Sequence, residues 1–167
     1  VYCFTPKGEL RRLKRGATAL DFAYEIHSDI GNKCIATKAN QKLVPLSYEL
    51  KTGDQIEILT SRKQKPKEDW LSIAQTSKAI SAIKRALKHE RRALASEGKA
   101  IFERKAKRQN IPNTQENLNK ILEVLDLPDS QEFFLQIQQG LILSKVWSKF
   151  TLQNGQLVRK ASKVKPK

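Results

Sequence analysis

Over the first 60 residues, apolar side chains recur in short runs punctuated by turn residues. VYCFT (1–5) is rich in β-formers, Pro6-Lys7-Gly8 is a turn signature, and ELRRLK (9–14) is a second run, so a hairpin is predicted at the start of the chain. Arg15-Gly16 breaks that run. Thr18 is placed to cap a helix, and Asp21 three positions later completes an acidic version of the capping box. Leu20, Phe22, Ala23 and Ile26 give this helix an apolar side, and a turn follows at His27. CIATKAN (34–40), KLVPL (42–46) and QIEILT (55–60) read as three more strands, with Pro45 making the middle one an edge strand or a strand end. The order β-β-α-β-β-β, with one helix in about 60 residues, predicts a ubiquitin-like β-grasp: a mixed sheet curled over a single helix.

After residue 60 the period changes from two to that of a helix. SRKQKPKE (61–68) is a basic segment read as a linker over 62–68, and Asp69 is placed as an N-cap ahead of Trp70. A helical pattern then runs to Gln109 with one break, which Gly98 could supply as a bend or a helix end. With Lys78 at zero and about 100° per residue, Ile80, Ile83, Leu87, Leu94 and Ile101 fall between about 140° and 200°. Lys78, Lys84, Arg85, Lys88, Arg91 and Arg92 fall between about 220° and 360° on the same wheel. One stripe is apolar, and the adjoining stripe is cationic. Asn113 or Thr114 opens another helix over 117–127, Pro128-Asp129 separates it from a helix over 130–140, and 141–150 reads as a further short helix. Residues 151–167 are polar and basic, and read as a disordered tail or connector. The expected class is α+β: a β-grasp over 1–61, then a separate all-α domain over 69–150.

Charge sharpens this division. The 167 residues carry 32 basic and 17 acidic side chains, a net charge of +15. Nine basic and seven acidic residues lie in 1–60, which leaves 23 basic and 10 acidic to 61–167. So uneven a distribution points to a polyanionic partner, RNA first and an anionic membrane surface second, against the simpler reading of solvated helix faces. Cys3 and Cys34, in apolar strands without CxxC spacing, read as buried free thiols in a reducing compartment. With no signal peptide and no long apolar run, the expected location is the cytoplasm. A start inside a strand, without Met, suggests a piece of a longer polypeptide.

Catalytic patterns are missing. His27 and His89 have no cluster of Cys, Asp or Glu at metal-ligand spacing, and no GxGxxG, Walker, GxSxG or HExxH motif occurs. Asp21 and Glu25, at i and i+4, read as solvated carboxylates and not as an acid/base pair. Neither a catalytic residue nor a metal or cofactor site is expected, so a binding module is favoured over an enzyme. Trp70 reads as a packing anchor. His27, by position alone, closes a helix through its terminal carbonyls.

Four blocks give this module a family. VYCFTPKGEL, GATALDFAYEIHSDIGNKC, LVPLSYELKTGDQIEILTS and DWLSIAQTSKAISAIKRALK, in this order, resemble the TGS domain of the long RelA/SpoT stringent-response proteins and the start of their helical domain. TGS domains also occur in threonyl-tRNA synthetases and Obg/DRG-type GTPases, but the DWL and TSKA blocks favour the RelA/SpoT line. The resemblance implies a regulatory region of a (p)ppGpp synthetase/hydrolase (GTP pyrophosphokinase) whose catalytic domains lie elsewhere in the parent chain. It implies that the TGS domain grips the 3′ CCA end of uncharged tRNA, that the helical domain meets tRNA and ribosomal RNA, and that His27, in the AYxIH block, reads the CCA end.

An imidazole can stack on an unpaired base and hydrogen-bond a ribose or phosphate. Where the family commonly has a second histidine, this chain has Asn32, which removes a stacking group there. Lys7 and Thr5 at the hairpin tip and Lys33 beside Asn32 are further candidates for the CCA backbone. The six cations from Lys78 to Arg92 are candidates for phosphates. Two other partnerships are implied: acyl carrier protein, reported for SpoT-like TGS domains, and the parent's own catalytic domains.

Overall fold

The computed structural model describes residues 1–161. Their contacts divide the chain into two units, Val1–His89 and a second that begins at Glu90.

The first unit is built on the strands expected from the turn residues. β1 (Tyr2–Phe4) and β2 (Leu10–Arg12) pair antiparallel, and β3 (Cys34–Ala39) lies between β4 (Lys42–Val44) and β5 (Ile56–Thr60), antiparallel to both. A parallel bridge, Phe4 to Gln55, lays β1 alongside the start of β5 and gives the mixed sheet of a β-grasp. α1 (Ala19–Ile26) starts at the capping box read from the sequence: Thr18 accepts from the Asp21 N–H, and the Asp21 carboxylate accepts from the Thr18 N–H. The turn expected after His27 is in fact a five-residue helix, α2 (Ser28–Asn32).

α1 is covered on two sides. Phe22 joins Cys3, Leu13, Ala17, Ala39, Leu50 and Ile56 against the sheet. Leu20, Ala23 and Tyr24 instead join Cys34, Trp70, Ala74, Ala79, Ala82 and Ile83. This second cluster explains why the boundary between units falls after His89 and not at the basic segment 62–68: α3 (Trp70–Ile73) and the first turns of α4 (Ser77–Arg108) finish the core of the β-grasp. Trp70, 3% exposed, is the packing anchor expected. The break in the long helical pattern lies at Ala74, whose backbone is extended, and not at Gly98. Asp69 does not cap α3 with its side chain.

The thiol of Cys34 lies inside this second cluster, and burial pushes it up to about 11 from its ordinary 9.0. Burial raises the Tyr24 hydroxyl and the Cys3 thiol as well. Raised values mean that the folded state keeps protons that the unfolded chain releases. Stability is therefore full below the ordinary thiol value and is lost as pH climbs from about 9 towards 11. The Cys34 thiol alone costs about 1.4 kcal/mol per pH unit in that window. The urea midpoint of the first unit, measured with reductant, is expected to be flat through neutral pH and to fall above about pH 9. Cys34→Ala should make that fall shallower, and an unchanged fall would contradict this origin.

In the second unit, α5 (Gln115–Leu125) is capped by Thr114, α6 (Ser130–Gln138) by Asp129, and α7 (Leu143–Trp147) follows. Phe102 of α4 meets Phe133 edge-on with ring centres 5.4 Å apart, within a core that includes Ile121, Phe134, Ile137, Leu143 and Val146. α4 runs unbroken through Gly98. A Cβ built there would stand 1.8 Å from the Phe134 carbonyl oxygen, so this glycine is where another backbone crosses the helix.

The tail expected over 151–167 is replaced, as far as residue 159, by a hairpin of β6 (Phe150–Gln153) and β7 (Gln156–Arg159). Phe150 and Leu157 enter the core. Buried Asn117 fixes the hairpin to α5: its amide donates to the carbonyls of Pro112 (2.9 Å) and Gly155 (3.0 Å), and its oxygen accepts from the Leu157 N–H (2.9 Å). Residues 162–167 lie outside the described residues.

Candidate nucleic-acid interface

His27 stands at the joint between α1 and α2. Its backbone is extended; its N–H donates to the Ala23 carbonyl at 3.3 Å, and its carbonyl accepts from the Gly31 N–H at 3.0 Å. Nδ1 accepts from the Asp29 N–H at 3.1 Å, so the side chain caps the start of α2. That differs from the helix-closing role expected from its position, since the bond is to an N–H and not to a carbonyl. Accepting at Nδ1 places the proton of the neutral ring on Nε2. The side chain remains 64% exposed, with a ring face and one N–H donor for a ligand.

α2 is braced from below. Gly31 lies on the Tyr24 ring, where a Cβ would meet ring atoms at 2.3 Å, and the Tyr24 hydroxyl donates to the Asn32 oxygen at 2.8 Å. Asn32 thus holds its helix to α1 through its side-chain oxygen. Lys33, the C-cap of α2, is exposed. His27 and Lys33 therefore flank one five-residue helix.

The hairpin tip is a separate place. Thr5 is 8% exposed and its hydroxyl accepts from the Glu9 N–H at 3.0 Å, which closes the turn over Gly8. Lys7 is exposed at that tip. Among the described residues, no hydrogen bond or ion pair joins Thr5 or Lys7 to His27, Asn32 or Lys33.

The six cations of α4 divide into two kinds. Lys78 pairs with Glu25 at 3.7 Å and donates to the Glu25 carbonyl at 3.4 Å, and Arg91 pairs with Glu132 of α6. Lys84, Arg85 and Lys88 on the first unit, and Arg92 on the second, are exposed and form no ion pair among the described residues.

Asp21 is more than a cap. Expected to be solvated, it is 1% exposed. Besides Thr18, its carboxylate accepts from the N–H of Gln75 at 3.0 Å, and from the N–H and hydroxyl of Thr76 at 2.9 Å each. One carboxylate thus serves the N-termini of α1 and α4, each of which favours negative charge. No group of three or more His, Cys, Asp or Glu side chains among the described residues could hold a metal ion, and no described helix is long and apolar enough to cross a membrane.

The first unit is thus a β-grasp whose core is completed by the start of a helical region, and it carries an exposed imidazole at His27. The TGS domain model matches residues 1–60, and these residues form a TGS domain. Over 155 residues the chain is 38% identical to a GTP pyrophosphokinase of Myxococcus xanthus, covering 92% of this chain and 20% of that protein. It is 41% identical over 145 residues to a guanosine-3′,5′-bis(diphosphate) 3′-pyrophosphohydrolase of Aquifex aeolicus (strain VF5), covering 86% of this chain and 21% of that protein. A Vibrio cholerae protein of the same description is 33% identical over 165 residues, 98% of this chain and 23% of that protein. The chain belongs to the RelA/SpoT family and corresponds to its TGS and following helical region. It spans about a fifth of the length of these relatives, 20% and 21% in the first two cases.

Proposed function

We propose that this chain is the regulatory part of a cytoplasmic (p)ppGpp synthetase/hydrolase, and that it senses amino-acid starvation by binding the 3′ CCA end of uncharged tRNA on the ribosome. The single observation that carries this reading is the state of His27: fixed through Nδ1, 64% exposed, and left with a ring face and the Nε2 donor. A terminal adenine can stack on such a ring while its ribose or phosphate meets the donor. An aminoacyl ester on that ribose would collide with a close-fitting surface, so discrimination requires no chemistry on the enzyme's part. Lys33 is suited to the adjoining phosphates. Lys84, Arg85, Lys88 and Arg92 are suited to the backbone of tRNA or ribosomal RNA, because a phosphate strand relieves repulsion among unpaired cations.

Deacylated and aminoacylated forms of one tRNA, compared by equilibrium binding on and off the ribosome, test the reading. The deacylated form is expected to bind more tightly. Lys84→Ala with Lys88→Ala should weaken both forms equally and flatten the salt dependence by about one unit per lost phosphate contact. Equal affinity for the two forms at every salt concentration would remove the CCA-sensing claim. Binding of acyl carrier protein without any binding of tRNA would favour a protein partner for the same surface.

A further inference from the structure

The basic segment 61–64 is not a free linker. The Ser61 N–H donates to the Lys33 carbonyl at 3.0 Å, and the Gln64 side-chain amide donates to the Cys34 carbonyl at 3.1 Å. The Gln64 N–H donates to the Ser61 carbonyl at 3.2 Å, which closes a four-residue turn with Arg62 and Lys63 at its two central positions. The pairing of Cys34 with Thr60 fixes where this turn begins. Arg62 and Lys63 are therefore carried on a turn that is hydrogen-bonded to the residues directly after α2, the helix that His27 caps. Lys33, Arg62 and Lys63 are all exposed, and none forms an ion pair among the described residues.

We propose that Lys33, Arg62 and Lys63 form a phosphate clamp for the backbone of a single-stranded RNA end whose terminal base lies at His27. The proposal rests on the RNA reading above and adds two residues and a positioning role to it. Holding like charges together on a fixed turn is unfavourable in the free protein, and a phosphate strand turns that cost into binding. Arginine supplies a planar fork and lysine a point charge, a mixture suited to successive phosphates and without base preference. Gln64 is the positioning residue: it touches no ligand, and its bond to the Cys34 carbonyl sets where the turn stands.

The test uses residues 1–167 with deacylated and aminoacylated tRNA over a range of KCl concentrations. Arg62→Ala with Lys63→Ala is expected to weaken both forms by the same factor, about tenfold at low salt, and to flatten the slope of log affinity against log salt by about 1.4, or about 0.7 for each single-strand phosphate contact. The preference between the two forms is expected to stay as in the native chain. Gln64→Ala, which leaves the charge unchanged, is expected to lose part of the affinity. Lys14→Ala with Lys42→Ala, an equal loss of exposed charge elsewhere on the first unit, is expected to keep the native slope.

Native affinity in the Arg62/Lys63 variant, or an equal loss in the Lys14/Lys42 variant, would overturn the proposal. So would loss of acyl carrier protein binding with RNA affinity intact, which would assign the turn to an acidic protein. A flattened slope in a chain that does not distinguish the two tRNA forms would uphold the clamp and refute CCA sensing, so the two claims fail separately.

Discussion

Asp21→Asn is expected to destabilise the first unit by more than about 3 kcal/mol and to release the start of α4. Asp21 is 1% exposed, and among the described residues no lysine or arginine pairs with its carboxylate. Its charge is held by five donors: the Thr18 N–H at 2.8 Å and hydroxyl at 3.0 Å, the Gln75 N–H, and the N–H and hydroxyl of Thr76. An asparagine has the same shape, but it brings an NH2 group into a ring of donors, so backbone N–H groups of two helices lose their acceptor while still buried. Asp21→Ala removes the acceptor altogether and should cost at least as much. Glu25→Gln, which breaks only the partly exposed pair with Lys78, should cost below about 1 kcal/mol. Hydrogen exchange gives the local readout: the amides of Gln75 and Thr76 should lose protection in Asp21→Asn before those of β3 do. An unfolding free energy within about 1 kcal/mol of native would contradict the role given to this carboxylate.

Gly98→Ala should destabilise the second unit by about 3 kcal/mol, against the sign expected from helix propensity. On an exposed helix face the change would gain about 1 kcal/mol. Here the new methyl would stand 1.8 Å from the Phe134 carbonyl oxygen and 2.6 Å from its carbon. These are backbone atoms within α6, so relief requires α4 and α6 to move apart, which opens the contacts of Phe102 with Phe133 and Phe134. Ser96→Ala, two residues away on an exposed position, should be neutral or slightly stabilising, which isolates the crossing as the cause. Stabilisation of the second unit by Gly98→Ala would contradict the close approach.

The same glycine shows why part of the fold could not be read in advance. A missing Cβ serves a helix end and a backbone crossing equally well, and the partner that decides between them, Phe134, is remote in sequence. Asp21 is similar: its capping-box role lies within four residues and was legible, whereas Gln75 and Thr76 are 54 and 55 residues away. α2 is too short to show a helical period. The hairpin over Phe150–Arg159 did carry a signal. Asn154-Gly155, both at positive φ, is the dipeptide a two-residue hairpin turn demands, but the basic composition around it pointed to a tail.

Elsewhere local chemistry sufficed. Gly8, Gly53 and the Asn40-Gln41 pair, all at positive φ, set the ends of the strands of the β-grasp, and Thr114 capped α5 where a cap was expected.

The candidate site was legible to a similar degree. His27 stood out in the sequence by its rarity and by the block around it, but its bond to Asp29 was hidden because α2 was not foreseen. Arg62 and Lys63 were visible as charge and invisible as a site, since only the bonds from Ser61 and Gln64 to residues 33 and 34 bring them beside α2. Lys78 and Arg91 looked equivalent to their neighbours on a helical wheel, which cannot show Glu25 or Glu132.

The affinity ratio of deacylated to aminoacylated tRNA, measured for the native chain and for His27→Ala, tests the central claim most directly. A clear preference for the deacylated form is expected in the native chain and a ratio near one in His27→Ala, with α2 still folded by hydrogen exchange. A preference that survives intact in His27→Ala would contradict that claim.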